Sequence, residues 1–208
     1  MYFIKNVPPV PSNFLNRSPH LPPKRPDTPK ITLVLDLDET LVHCETSKIS
    51  NPDYKFPVEF HGNTYKVWGK KRPFVDEFLS RVAQLFEVVV FTASQQVYAD
   101  YILDELDNDG VIDHKLFRDS CVFVGGNYLK DLRILGRDLS KVIIVDNAIS
   151  SFAYQVNNGI PIVSWYDEQD DCELKELLPF LEKLAEVDDV RPHLTKAFNI
   201  QSQIDSLS

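Results

Sequence analysis

Three short apolar runs, each stopping at a polar residue, constrain the fold of this chain more than any other feature. Ile31-Thr-Leu-Val-Leu35 ends at Asp36, Val88-Val-Val-Phe91 at Thr92, and Val142-Ile-Ile-Val145 at Asp146. Strand-forming residues that are apolar on both sides belong inside a parallel sheet covered by helices. Parallel neighbours need crossovers, and helical patterns lie between the runs. Pro73 suits the first turn of a helix over 73–86, where Phe74, Phe78, Val82 and Leu85 recur at three- and four-residue intervals. Ser94 is placed to cap a helix through about Leu106, with Tyr98, Ile102 and Leu106 on one stripe, and Asp107-Asn-Asp-Gly110 breaks it. Ile160-Pro-Ile-Val163 is a further short strand, and residues 171–186 form an amphipathic helix that Pro179 should kink or split. The prediction is an α/β fold with a central, mostly parallel sheet and flanking helices.

Between the first strand and the first helix lies a hairpin pattern. Phe56–Phe60 and Thr64–Trp68 flank His61-Gly62-Asn63, which predicts a small β-hairpin insertion within about 44–71. Residues 1–29 hold eight of the fourteen prolines, so that segment is expected to be extended or disordered. Its PxxP spacings, Pro8–Pro11 and Pro23–Pro26, read as a linker or a strap on the surface. The expected organisation is a proline-rich segment at 1–29, one domain at 30–193 and a tail at 194–208.

Charge narrows the partners. The formal net charge of −9 disfavours general nucleic-acid binding, because phosphate backbones would be repelled. The charge is uneven: Lys66, Lys70, Lys71 and Arg72 form a basic cluster, whereas residues 167–189 carry ten acids against Lys175 and Lys183. The basic cluster is either a local field for a phosphorylated ligand or an ordinary solvated surface. Cys44, Cys121 and Cys172 are widely spaced and form no CxxC pair, which suits a reducing intracellular compartment, nuclear or cytoplasmic. No apolar run approaches the ~20 residues that span a bilayer, and no signal-peptide pattern opens the chain.

The strand ends carry the chemistry. Ligands of open α/β sheets bind beyond the carboxyl ends of strands, so Asp36-Leu-Asp38-Glu-Thr40, Thr92-Ala-Ser94 and Asp146-Asn147 are expected at one edge. Asp36 and Asp38 are close enough to repel when both are ionised, and a hard divalent cation such as Mg²⁺ relieves that. One carboxylate can then serve as nucleophile and the other as general acid. Thr40 can tie down the turn with its hydroxyl and is counted with the substrate-side residues. Each element has an ordinary reading too: aspartates are common in turns, threonines cap helices, and a lysine such as Lys130 is usually a solvated charge. Together they are the parts that phosphoryl transfer needs.

Asp36-Leu-Asp-Glu-Thr-Leu-Val-His43 resembles the first motif of the haloacid dehalogenase-like phosphatases. More narrowly, it is similar to the small phosphatases acting on the carboxy-terminal domain of RNA polymerase II and to their Dullard-like, NLI-interacting-factor-like relatives. The likeness continues through Lys71-Arg-Pro73, Phe91-Thr-Ala-Ser94, Tyr98-Ala-Asp100, Leu116–Cys121, Asn127-Tyr-Leu-Lys-Asp-Leu132, Leu135–Leu139, Val145-Asp-Asn147 and Ser164-Trp165. The resemblance implies a Mg²⁺-dependent protein serine/threonine phosphatase. Asp36 would form an aspartyl-phosphate, and Asp38 would protonate the leaving oxygen and then activate water. Thr92 and Lys130 would bind phosphoryl oxygens. Asp36, the Asp38 backbone carbonyl and Asn147 would hold the metal, with Asp146 beside it. Arg118, Tyr98 and Asn127 would face the substrate, although Arg118 also reads as a structural ion pair, Tyr98 as core and Asn127 as a turn residue.

The chain departs from that pattern twice. Val124-Gly125 stands where the small members carry His-Arg, and Ser94-Gln-Gln-Val97 lacks the leucine expected in a pocket for a substrate proline. Both changes bear on substrate choice. A phosphatase for small metabolites and a non-catalytic binding module of the same fold are the competing readings; the small insertion favours an open site and a protein or peptide substrate.

Overall fold

Alternate residues of the three apolar runs enter opposite cores, as the two-residue period of a strand requires. The computed structural model describes residues 1–15 and 19–207. In it, Leu33, Leu35, Val88, Val90, Ile143 and Val145 face one apolar cluster, and Val34, Val89, Phe91, Val142 and Ile144 face the other. The chain runs α1 (Tyr2–Lys5), α2 (Ser12–Leu15), β1 (Thr32–Leu35), β2 (Val42–Glu45), β3 (Tyr54–Phe60), β4 (Asn63–Lys71) and α3 (Val75–Val82). It continues through β5 (Glu87–Phe91), α4 (Gln96–Leu106), β6 (His114–Leu116), β7 (Val122–Val124), β8 (Asn127–Leu129) and β9 (Val142–Asp146). β10 (Gly159–Pro161), α5 (Glu173–Leu184), α6 (Arg191–Phe198) and α7 (Ile200–Asp205) complete it.

The main sheet has the order β10-β9-β1-β5-β6, and all its pairings are parallel. Helices α3, α4, α5 and α6 supply Phe78, Val82, Ile102, Leu103, Leu181 and Leu194 to the first cluster. Short 3₁₀ segments and the terminal helices cover the other face through Leu132, Leu135, Phe152, Ile200 and Ile204. Each fully buried Leu, Ile or Phe contributes about 1.5–3 kcal/mol relative to exposure. The chain leaves β1 for β5 on one side and returns to β9 on the other. β1 is therefore the topological switch point, and a crevice opens beyond its carboxyl end.

The insertion is a three-stranded antiparallel sheet, β2-β4-β3, with β2 joining the expected hairpin. Its two-residue turn places His61 at φ 48° and Gly62 at φ 75°, the left-handed pair that a tight hairpin needs. Pro57 is tolerated because β3 is an edge strand. The hairpin β7–β8 turns on Gly125 (φ 56°) and Gly126 (φ 79°). No strand was read there from the sequence, although a Gly-Gly pair between apolar residues is a two-residue hairpin signal.

Several expectations differ from the structure. The helix expected at 73–86 is regular only over Val75–Val82, and Ala83–Phe86 close as turns into β5. Pro179 does not split α5, which runs unbroken from Glu173 to Leu184. Burial of Leu174, Leu181 and Leu184 outweighs the one missing helical hydrogen bond. The segment at 1–29 is not simply extended: it contains α1 and α2, and Ile4, Phe14 and Leu21 are buried in the second core. The Tyr154 hydroxyl donates to Pro8 O at 2.9 Å, and His20 N–H donates to Ile134 O at 2.7 Å. The tail at 194–208 likewise holds most of α6 and α7, so neither boundary, 30 or 193, is a packing boundary.

Candidate active site

Asp36 is the first residue beyond β1, and its N–H still donates to Val145 O at 3.0 Å. The chain then turns sharply because Glu39, a non-glycine residue, adopts φ 56°. Such a backbone is costly and persists where its surroundings over-determine it. Here Glu39 N–H donates to Val42 O (2.8 Å) and Glu39 O accepts from Trp165 N–H (2.9 Å). The turn carries Asp38 back over the end of the strand. Thr92 follows β5 and Asp146 closes β9, so three neighbouring strand ends converge.

The convergence makes a cavity of about 610 Å³, open on one side, lined by Asp36, Asp38, Thr92, Arg118, Lys130 and Asn147 among others. Lys130 Nζ lies at its floor, 2.5 Å from Asp36 Oδ1 and 2.6 Å from Asp146 Oδ2. Its side chain is 2 % exposed, so this cation is built into the site and is not a solvated surface charge. Burial works to lower its pKa, but Asp146 and Asp36 outweigh that and hold it above the usual lysine value. Burial pushes Asp36 up, to about 7, and the Asp146 charge adds to that against the pull of Lys130.

Thr40 is fully buried and its hydroxyl donates to Asp36 Oδ2 at 3.1 Å. It fixes the Asp36 carboxyl from within the turn and does not line the cavity, which corrects its place among the substrate-side residues. Ser94 is also not the expected cap. α4 begins at Gln96 behind Gln95 with no side-chain cap, and the Ser94 hydroxyl donates to Asp38 Oδ2 at 2.6 Å. The Tyr98 hydroxyl donates to Asp38 Oδ1 at 2.6 Å. Burial, then the Asp38 charge, raises the Tyr98 pKa and keeps its proton on. Tyr98 therefore belongs to the site wall, while Ala99, Ile102, Leu103 and Leu106 form the buried stripe of α4.

Arg118 is anchored by its Nε–H to Ala93 O at 2.6 Å, with the guanidinium 4.8 Å over the Tyr128 ring. Those contacts replace the ion-pair alternative. Asn127 Nδ2–H closes the β7–β8 turn on Gly125 O (3.0 Å) while the residue lines the cavity. Three of the four charges in the basic cluster at 66–72 are tied down: Lys70 pairs with Asp167, Lys71 with Asp76 at 2.8 Å, and Arg72 with Asp171 through 2.8 and 2.7 Å hydrogen bonds. Arg72 is 1 % exposed. These three charges are paired within the fold, and Lys66 is exposed on β4. Burial pushes the Cys44 and Cys121 thiols up to about 12, so neither is a ready thiolate.

Oxygen donors for a hard cation lie along one wall. Asp146 Oδ1 accepts from Ala148 N–H (2.8 Å), and the Asn147 amide nitrogen donates to Ser164 Oγ (2.9 Å). Among the described residues no group of three His, Cys, Asp or Glu side chains encloses a metal position. Carboxylate and carboxamide oxygens of this kind suit Mg²⁺ rather than zinc.

Comparison with known proteins bears on the same residues. The description "NLI interacting factor-like phosphatase" matches residues 31–191. A Dictyostelium discoideum CTD small phosphatase-like protein 2 is 55 % identical over 184 residues, covering 88 % of this chain and 32 % of that protein. A Caenorhabditis elegans CTD small phosphatase-like protein 3 is 48 % identical, covering 98 % of this chain and 72 % of its own length. The human carboxy-terminal domain RNA polymerase II polypeptide A small phosphatase 1 is 51 % identical over 80 % of this chain and 64 % of its own. The chain thus spans about a third of the Dictyostelium relative. A fission yeast RNA polymerase II CTD phosphatase bound to beryllium fluoride shares the fold, with a TM-score of 0.57 at 20 % identity over 86 % of this chain and 57 % of that one. Family description and relatives cover the converging strand ends, and this chain belongs to the NLI interacting factor-like phosphatase family.

Proposed function

We propose that this chain is a Mg²⁺-dependent phosphatase that removes phosphate from serine or threonine in proteins through an aspartyl-phosphate on Asp36. One observation carries the reading: a buried lysine bridges two aspartates, Asp36 at 2.5 Å and Asp146 at 2.6 Å, on the floor of an open cavity. A cation shielded from water stabilises developing negative charge far better than an exposed one.

In this reading, Asp36 Oδ2, oriented by Thr40, attacks phosphorus. The bond from phosphorus to the substrate oxygen breaks, its electron pair goes to that oxygen, and Asp38 supplies the proton. Asp38, now a carboxylate, takes a proton from water as the water oxygen bonds phosphorus. The phosphorus–Asp36 bond then breaks, freeing phosphate and the Asp36 carboxylate. Lys130 and Thr92 hold the equatorial oxygens, and Arg118 receives the flanking substrate charge. Asp36, the Asp38 carbonyl, Asn147 and Asp146 would hold Mg²⁺, which when bound neutralises phosphoryl charge and keeps Asp36 ionised.

The open mouth of the cavity suits a peptide better than an enclosed metabolite. The names of the relatives point to the phosphorylated carboxy-terminal domain of RNA polymerase II, a nuclear protein substrate. Hydrolysis of p-nitrophenyl phosphate and of phosphoserine peptides, measured with Mg²⁺ and with EDTA, tests the reading. Turnover is expected only with the metal, on peptides in preference to sugar phosphates. Metal-independent or absent turnover overturns it.

A further inference from the structure

We propose that Ser94 and Tyr98 are positioning residues that clamp Asp38, so that its Oδ2 is the oxygen that hands a proton to the leaving group and later takes one from water. This rests on the phosphatase reading and adds to it which groups make the acid competent.

Asp38 stands in a turn outside the sheet and is only half-buried. An aspartate there would sample several rotamers. Its two oxygens are instead held from two different elements. Oδ1 accepts from the Tyr98 hydroxyl of α4 at 2.6 Å. Oδ2 accepts from the Ser94 hydroxyl at 2.6 Å and faces the Thr92 hydroxyl at 3.3 Å. Oδ2 is therefore the oxygen on the Thr92 side, and Oδ1 is anchored away from it against the helix.

The loop that does this is braced in turn. Ser94 N–H donates to Thr92 Oγ1 at 3.0 Å, and Ser94 O accepts from Arg118 N–H at 3.1 Å. Arg118 Nε–H holds Ala93 O at 2.6 Å. One three-residue loop thus sets the phosphate-side hydroxyl, the acid and the arginine together. A group that must deliver a proton within hydrogen-bond reach of the leaving oxygen gains from being held there beforehand. In the chemical step the Oδ2–H bond breaks as the leaving-oxygen–H bond forms. In the second step Oδ2 regains a proton from water, so no other acid or base is required.

The test uses Tyr98→Phe, Ser94→Ala and the double variant, each checked for an unchanged unfolding midpoint. Two rates are compared with Mg²⁺: kcat on a phosphoserine peptide, whose alkoxide needs protonation, and the pre-steady-state nitrophenol burst on p-nitrophenyl phosphate, whose phenolate does not. The clamp predicts that the ratio of peptide kcat to burst rate falls about ten-fold in each single variant, within the roughly 10²–10⁴-fold that a general acid supplies. The double variant is expected to lose much less than the product of the two, because the pair acts as one unit. Peptide KM is expected to stay within about two-fold. Equal losses on both substrates, or a raised KM with kcat retained, assign Tyr98 and Ser94 to substrate binding and overturn the clamp. Should Ser94→Ala misfold, Tyr98→Phe alone decides. Wild-type protein that turns over neither substrate overturns the phosphatase reading itself, and the clamp with it.

Discussion

At the scale of single residues, a buried cation sits between two buried carboxylates, and each member has a separate consequence. Asp36→Asn removes the proposed nucleophile and also a carboxyl whose ionisation burial opposes. Turnover of p-nitrophenyl phosphate is expected to fall by at least about 10³-fold, with a melting temperature equal to or above that of the wild type. Near-normal turnover would remove Asp36 from the mechanism. Lys130→Met behaves differently, because it leaves Asp36 and Asp146 buried without their shared partner. A loss of about 3–5 kcal/mol in urea unfolding is expected, together with a fall of about 10²-fold or more in kcat. Asp36, Asp38, Thr92, Asp146 and Asn147 were legible in the sequence because each follows an apolar strand. Ser94 was misread as a cap, since a serine two residues before a helix carries the same local signal whichever partner it finds.

At the scale of elements, the opposite end of the sheet is held by one acid. Glu87, the first residue of β5, is 1 % exposed and accepts from Arg137 at 2.9 and 2.6 Å and from Thr32 at 2.6 Å. Lys24 of the proline-rich segment lies 3.3 Å away. Burial works against the Glu87 charge, but the hydrogen bonds from Arg137 and Thr32 outweigh it and hold the pKa down at about 2. With the folded value below the unfolded one, the unfolded state binds the proton first as pH falls. The stability this gives is complete above about pH 4.5 and is lost toward about pH 2. Glu87→Gln is expected to lower stability at pH 7 by about 2–3 kcal/mol and to flatten the acid limb of the unfolding midpoint in that window. An unchanged acid limb would show that Glu87 does not govern it. Element type was readable for β1, β5, β9 and the first hairpin, where period and turn chemistry agree. It failed for the three-residue strands β6, β7 and β8, which are too short to show a period and form because a neighbouring strand end or a Gly-Gly turn stabilises them.

At the scale of the whole molecule, the termini belong to the fold. Ile4 and Phe14 are buried in the same core as Ile200 and Ile204, and Phe3 lies against Gly125 at the turn of β7–β8. A chain beginning at Leu21 is expected to lose about 3–5 kcal/mol, the burial of two large side chains less what the unfolded chain already hides. Thermal unfolding checks this, and an unchanged midpoint would return the segment to the status of a linker. Proline content suggested disorder because composition reports backbone preference and not whether an apolar residue between prolines meets a groove. The sequence by itself determined the parallel sheet, its central strands and the polar residues at their ends, since those follow from a two-residue period and from where an apolar run stops. Only the tertiary structure decided which oxygens Lys130 bridges, that Thr40 serves Asp36, that Ser94 and Tyr98 meet at Asp38, and that Lys70, Lys71 and Arg72 of the basic cluster are paired. Those contacts join residues 36 to 130, 38 to 98 and 72 to 171, and pairings across such separations depend on how packed layers align, a property that no local pattern encodes.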